Sequence, residues 1–242
     1  MRLEEFFLPV NIRQNSRLRR WRLAGFILTT LAFLASTILK IRSADSADYL
    51  LLFVRGTLTP FSFCYLLLPA IWLTLLVWHP KVLQITVYHL NSTRQFIRLL
   101  WRQTLRFTIV LMVAQLPAIV LACWYSWQRG QALILQNNVF ALAVWLLVLC
   151  WNTLFSFLLL GIRNTTRGPS PILLWAIVMS AVNLFFFSSM TWQLGPAELS
   201  ALINSPVVNL QVLLSNLAEA LIFGGLCWWG VRYRLTKMDY LG

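Results

Sequence analysis

Charge is scarce in this sequence. Lysine, arginine, aspartate and glutamate make up 11% of its 242 residues, where a soluble domain carries about a quarter. Histidine is scarcer still, with only His79 and His89, ten positions apart. Neither H-E-x-x-H nor G-x-x-x-x-G-K-[ST] occurs, which excludes a zinc-protease helix and a phosphate-cradling P-loop. An intramembrane metalloprotease needs His and Glu clustered within apolar segments, and an intramembrane serine protease needs a base beside its nucleophile. No apolar segment here holds a histidine. The four cysteines, Cys64, Cys123, Cys150 and Cys227, fall in apolar stretches without a Cys-x-x-Cys pair. They indicate neither a zinc site nor a disulfide framework and read as small buried hydrophobes. The N-terminus lacks the pattern of a cleavable signal peptide: Glu4 and Glu5 come first, and no small-residue cleavage site follows the first apolar run. No internal repeat is present. The expectation is a chain with no catalytic residue, no cofactor and no metal, and therefore not an enzyme by itself.

What the chain has in abundance is apolar length. Hydrophobic residues make up 59%, in recurring runs of about twenty, each long enough to cross a bilayer as a helix. The expected fold is all-α, a polytopic membrane protein with six transmembrane helices. The expected spans are 21–39, 56–78, 107–127, 140–162, 171–192 and 213–231. Residues 1–20 form a cytoplasmic interfacial segment, with Phe6, Phe7 and Leu8 in the headgroup region and arginines facing anionic lipid. Residues 21–242 form the six-span domain.

The cations set the orientation. One side of this scheme holds Arg2, Arg13, Arg17, Arg19, Arg20 and Arg22, then Lys81, Arg94, Arg98, Arg102 and Arg106, then Arg163 and Arg167, and finally Arg232, Arg234 and Lys237. The other side holds Lys40, Arg42, Arg55 and Arg129. Positive loops stay inside, so both termini are expected in the cytoplasm. Trp21, Trp78, Trp127, Trp192, Trp228 and Trp229 fall near span edges, as an aromatic belt does. The net charge of +13 does not point to nucleic acid, because the cations sit at span ends and form no basic globular face.

The stretch VYHLNSTRQFIRLLWRQTLRF, residues 87–107, places Arg94, Arg98, Arg102 and Arg106 four apart. Ser92 followed by Gln95 fits a capping box, so a helix starts there. Ile97, Leu100, Trp101 and Leu105 form an apolar face beside the arginines. From Thr93 to Trp127 such a helix runs roughly 50 Å, against about 30 Å of hydrocarbon, so about four turns project into the cytoplasm. Ahead of it, Lys81 to Leu90 reads as a short element across the cytoplasmic surface. The loop 79–106 is either a topology signal alone or a docking surface.

One full charge lies inside a span: Glu219, in LLSNLAEALIFGG. Ionisable groups at depth are costly and often functional. With the span starting near Leu213, Glu219 is expected roughly 9 Å along it, nearer the outer side than the midplane. It either lines a substrate pathway, or partners Arg55, or snorkels to water. Asn216 belongs to the same polar face, and both are pathway candidates. Gly224, Gly225 and Gly230 read as close helix packing. Between spans five and six, Pro196 and Pro206 bracket a short external or re-entrant helix at about 196–204. YLLLF, after Asp48, is expected in the interface.

This pattern resembles the six-helix permease subunits of type-2 ABC transporters across nearly the whole chain. The shared features are the interfacial N-terminus, six spans, a structured cytoplasmic loop between spans two and three, and an external helix between spans five and six. The ending GVRYRLTKMDYLG is similar too, with basic residues and an Asp after the last span. The resemblance implies a coupling element at Lys81 to Leu90 that docks on separate P-loop ATPase subunits, with Lys81, Val82, Leu83, Ile85, Tyr88, Arg94 and Arg98 as candidate contacts. It implies pairing with a second permease copy or a homologous chain, and residence in a bacterial cell membrane. By family habit the cargo is a peptide, lipid or other amphipathic compound. Family loops often carry a Glu and a Gly-Thr pair before the turn; LQITVYHLNSTR has neither. Two other classes stay open: the transmembrane coupling subunit of a vitamin-type importer, whose Ala-Arg-Gly or Ala-Arg-Ser signatures are absent, and a membrane assembly protein without transport.

Overall fold

The computed structural model describes residues 16–42, 49–59, 62–78, 93–165 and 210–237, with isolated positions 199, 202 and 203. The described residues are all-helical. The helices are α1 (Ser16–Arg42), α2 (Tyr49–Thr57), α3 (Leu68–Trp78, continuing a π-helical segment Ser62–Leu67), α4 (Thr93–Gln128), α5 (Leu135–Thr165) and α6 (Leu210–Lys237). Four of these, α1, α4, α5 and α6, are long and apolar enough to cross a membrane.

α4 starts at Thr93, immediately after the Ser92 of the expected capping box. It runs through Pro117 without ending. Proline removes one backbone donor and crowds the preceding turn, a defect that membrane helices tolerate. The helix stops at Gly130, whose φ of 63° is open to a residue without Cβ. Gly130 N–H donates to Trp127 C=O (3.0 Å) and Gln131 N–H to Ser126 C=O (3.2 Å), which is the Schellman pattern.

The inward stripe of α4 is Leu100, Thr104, Phe107, Leu111, Ala114, Ala118 and Ala122, all buried, in steps of three and four. Phe96 and Ile97 extend it toward the N-terminus. This corrects the expected apolar face at one position: Leu105 is 43% exposed, because the stripe passes through its neighbour Thr104. The Thr104 hydroxyl donates to the Leu100 carbonyl within the helix, so a polar group fits the stripe without an orphan donor.

The second expected span is corrected more strongly. It does not begin as one helix at Gly56: α2 ends at Thr57, and helix resumes at Ser62. Threonine hydroxyls close one piece and open the next. Thr57 Oγ1 donates to Val54 C=O (2.9 Å), and Thr59 Oγ1 accepts from Ser62 N–H (3.2 Å), the work of an N-cap. YLLLF is packed on protein: Leu51, Leu52 and Phe53 are buried, in a helix packed among α1, α4 and α5. The first helix begins at Ser16, ahead of its apolar span Arg20–Arg42.

Contacts at successive heights give the helix directions. α1 and α3 are antiparallel, with Arg22 beside Trp78, Gly25 beside Thr74, and Thr29 beside Thr74 and Ala70. α4 and α5 are antiparallel, through Trp101–Phe157, Thr108–Thr153 and Gln115–Trp145. α5 and α6 are parallel: Trp151 meets Phe223, Leu154 meets Gly224, Phe157 meets Trp228 and Gly161 meets Val231.

Small residues make the close approaches, but not all those expected. Gly224 faces Leu154, whereas a Cβ at Gly225 or Gly230 would meet nothing within 4 Å. The tight crossings are at Gly56, against the backbone of Ser36 and Thr37, and at Gly161, against Val231.

Candidate functional site

At one end of the bundle α1 and α3 are clasped together. Arg22 Nη2 donates to the Trp78 carbonyl (2.9 Å), and Trp78 Nε1 donates back to the Arg22 carbonyl (3.2 Å). The guanidinium also lies 5.8 Å from the Trp78 ring centroid, within cation–π range. Trp78, read from sequence as a belt residue, is therefore also a structural tie. The chain that leaves Trp78 starts from a fixed point on α1, and α4, the next described helix, packs along α1 as well.

Arg94, Arg98 and Arg102 are exposed on the first turns of α4, while Phe96, Ile97 and Leu100 on the other side are buried. The docking candidates Arg94 and Arg98 thus sit together on an accessible, rigid, cationic surface. Lys81, Val82, Leu83, Ile85 and Tyr88 lie outside the described residues. So do His79 and His89, the span expected at 171–192 and the N-terminal segment up to residue 15. Trp101, Phe157 and Trp228 form a ladder across α4, α5 and α6, with centroids 5.4 and 6.1 Å apart. Nothing in the sequence separates these rings from the exposed Trp21 and Trp127, since the signal is one of three-helix proximity.

At the other end, the α4–α5 turn holds α2. The Tyr49 hydroxyl donates to Gln131 C=O (3.1 Å), and Asn138 Oδ1 accepts from Leu50 N–H (3.1 Å). An amide from another helix thereby caps one of the free donors at the α2 N-terminus, a contact worth about 1 kcal/mol. Arg55, on α2, donates its Nε to Ile203 C=O (3.1 Å). Leu199, Leu202 and Ile203 are buried, with 199 and 202–203 helical, in the segment expected to form a re-entrant helix.

The polar residues at mid-height are mostly helix ties. Trp145 Nε1 donates to Gln115 Oε1. Thr108 and Thr153 hydroxyls lie 2.8 Å apart. Asn216 is fully buried and accepts from Trp151 Nε1 at 2.9 Å. That places the Asn216 amide in the α5–α6 seam, one turn before the half-exposed Glu219. The α5–α6 register puts Glu219 level with Leu147 to Leu149. That is about 21 Å of helix from either end of the stretch Leu135–Arg163. Along its own span, Leu210–Tyr233, Glu219 lies nearer the Leu210 end, about 14 Å from it against about 21 Å from Tyr233.

Among the described residues no group of His, Cys, Asp and Glu could hold a metal ion. Compared with known proteins, the chain matches no family model, no curated sequence and no solved structure.

Proposed function

We propose that this chain is the membrane-spanning permease half of a type-2 ABC transporter. In this reading it crosses the cell membrane six times, with both ends in the cytoplasm. A separate P-loop subunit hydrolyses ATP, and the cargo is a peptide, lipid or other amphipathic compound.

The carrying observation is α4. A single helix starts with exposed Arg94, Arg98 and Arg102, directly after residues 79–92, and continues as an apolar helix to Gln128. At 36 residues it is about 54 Å long, well beyond the roughly 30 Å of a hydrocarbon core. Such a helix carries a displacement at its cationic end into the bundle. The Arg22–Trp78 clasp ties the start of the same segment to α1, so a push on residues 79–92 is received by two helices.

The parallel α5–α6 pair supports six crossings. Two parallel spanning helices require the connecting chain to return through the bilayer, and Pro171–Trp192 is apolar and long enough to do so. The positive-inside balance then favours the arginine end as cytoplasmic. Helical, buried Leu199, Leu202 and Ile203 agree with an external element folded back onto the bundle.

Affinity purification of the full chain in mild detergent, with an ATPase assay on what comes along, tests the reading. A P-loop subunit with vanadate-sensitive activity is the expected partner. Asp at Val82, Leu83 or Ile85 abolishes its recovery. Recovery of a substrate-binding membrane protein instead identifies an importer scaffold, and recovery of neither removes transport.

A further inference from the structure

We propose that the outward lane of α4 binds one anionic phospholipid as a resident lipid, with its phosphate on Arg102 and Arg106 and its acyl chains along Leu105, Ile109, Val113 and Leu116. The proposal needs α4 to lie in a bilayer and asks nothing of the transporter reading.

Helix geometry builds the lane. At about 100° per residue, Arg106, Ile109, Val113 and Leu116 fall within about 40° of Arg102 around the axis, and Leu105 within about 60°. The buried stripe through Leu100, Thr104 and Phe107 lies on the opposite side. Arg102 is exposed and Arg106 half-exposed, and the four apolar residues are 43% to 52% exposed. One face of α4 therefore passes from guanidinium to hydrocarbon within two turns. From Leu105 to Leu116 the apolar part runs about 17 Å, close to half of a hydrocarbon core of about 30 Å. A phospholipid has the same parts in the same order and at the same length. Arg94 and Arg98 lie nearer the helix start and are left to the docking surface.

Charge selects the headgroup. Arg102 and Arg106 are one turn apart, where like charges repel, and a phosphate between them turns that repulsion into attraction. Guanidinium forks also match phosphate oxygens in pairs. Glu219 is the sole acidic residue among those described. The ladder Trp101–Phe157–Trp228 sets Trp228 level with Trp101, and Glu219 is about 14 Å of helix away from Trp228. No described carboxylate therefore stands level with Arg102. Arg163 and Arg232, a few residues beyond Phe157 and Trp228, add positive charge at the same end. The ammonium of a zwitterionic headgroup would enter that positive field, so a headgroup of net negative charge is favoured.

Native mass spectrometry of the full chain in mild detergent tests the site, with phosphatidylglycerol and phosphatidylcholine of identical acyl chains titrated in turn. One phosphatidylglycerol is expected to bind ahead of any further lipid, and phosphatidylcholine to show no such first site. R102Q with R106Q weakens the first phosphatidylglycerol about tenfold or more. R102Q alone, at an exposed position, weakens it in the same direction. R102K with R106K keeps the charge and stays within about threefold of wild type. R20Q with R232Q removes the same charge from α1 and α6 and also stays within about threefold. Soluble glycerophosphoglycerol, a headgroup without chains, does not compete at equal concentration. Three results overturn the site: equal affinity in R102Q with R106Q, an equal loss in R20Q with R232Q, or full competition by the soluble headgroup. The first two would mean a general attraction to anionic lipid, and the third a phosphate site with no use for the lane. Selective lipid binding that depends on Arg102, without any ATPase partner, leaves the site standing and removes the transporter. An ATPase partner together with lipid binding indifferent to R102Q with R106Q does the reverse.

Discussion

Val231 presses on Gly161 where α5 and α6 cross: a Cβ added at Gly161 would lie 2.5 Å from Val231 Cγ2. No real Cβ tolerates that distance, so the glycine sets how near the two helices come, and with it the height of everything on α6.

Gly161→Ala is therefore expected to destabilise the chain by about 1–3 kcal/mol through overpacking. For a chain of this size that is about 2–4 °C of Tm per kcal/mol. Val231→Ala in the same chain removes the offending methyls and restores most of the loss. Gly225→Ala, which meets open space, should hold Tm or raise it slightly, because alanine suits a helix better than glycine. Thermal unfolding in detergent reads all three; a Gly161→Ala chain as stable as wild type would mean the crossing is looser than described.

The Trp151–Asn216 hydrogen bond is the polar tie of the same seam. Trp151→Phe and Asn216→Leu should each destabilise, and their double-mutant cycle should show coupling of about 0.6–1.7 kcal/mol, the range for interhelical hydrogen bonds in membranes. Additive losses would show that the two side chains do not share a bond in the membrane.

Helix directions predict sidedness. An impermeant maleimide should label Ala132→Cys from the cell exterior. Ser16→Cys and Lys237→Cys should react only after permeabilisation. Labelling of residues 16 and 237 from opposite faces is incompatible with an even number of crossings.

Charge reversal on the α4 surface separates docking from folding. Arg94→Glu with Arg98→Glu alters exposed positions, so stability should change by less than about 0.5 kcal/mol per site. Recovery of the ATPase subunit should fall, and the wild-type interaction should weaken as salt rises. Undiminished recovery from the doubly reversed chain assigns these arginines to topology alone.

The long helices were legible because their signals are local. α4 starts one residue after Ser92 and ends at Gln128, two residues before Gly130, and both ends are turn chemistry written in adjacent residues. The arginine period and the inward stripe follow from 3.6 residues per turn. Short α2 was missed for the opposite reason. YLLLF carries the same apolar signal whether it rests at an interface or in a core, and only its neighbours decide. Its burial depends on Asn138, 88 positions away, capping Leu50, and on Gly56 fitting against α1.

The candidate site divides the same way. That an acid sits among apolar residues near Asn216 is plain from the order of residues, as is the cationic start of α4. Composition alone determines that the chain is built around long apolar helices, because apolar area and charge placement depend only on which residues are present and how they are spaced. The burial of Asn216 in a seam with Trp151 and the rings around Phe223 were decided by tertiary structure. Each depends on the relative height of two helices, which is set by which side chains interlock across the gap.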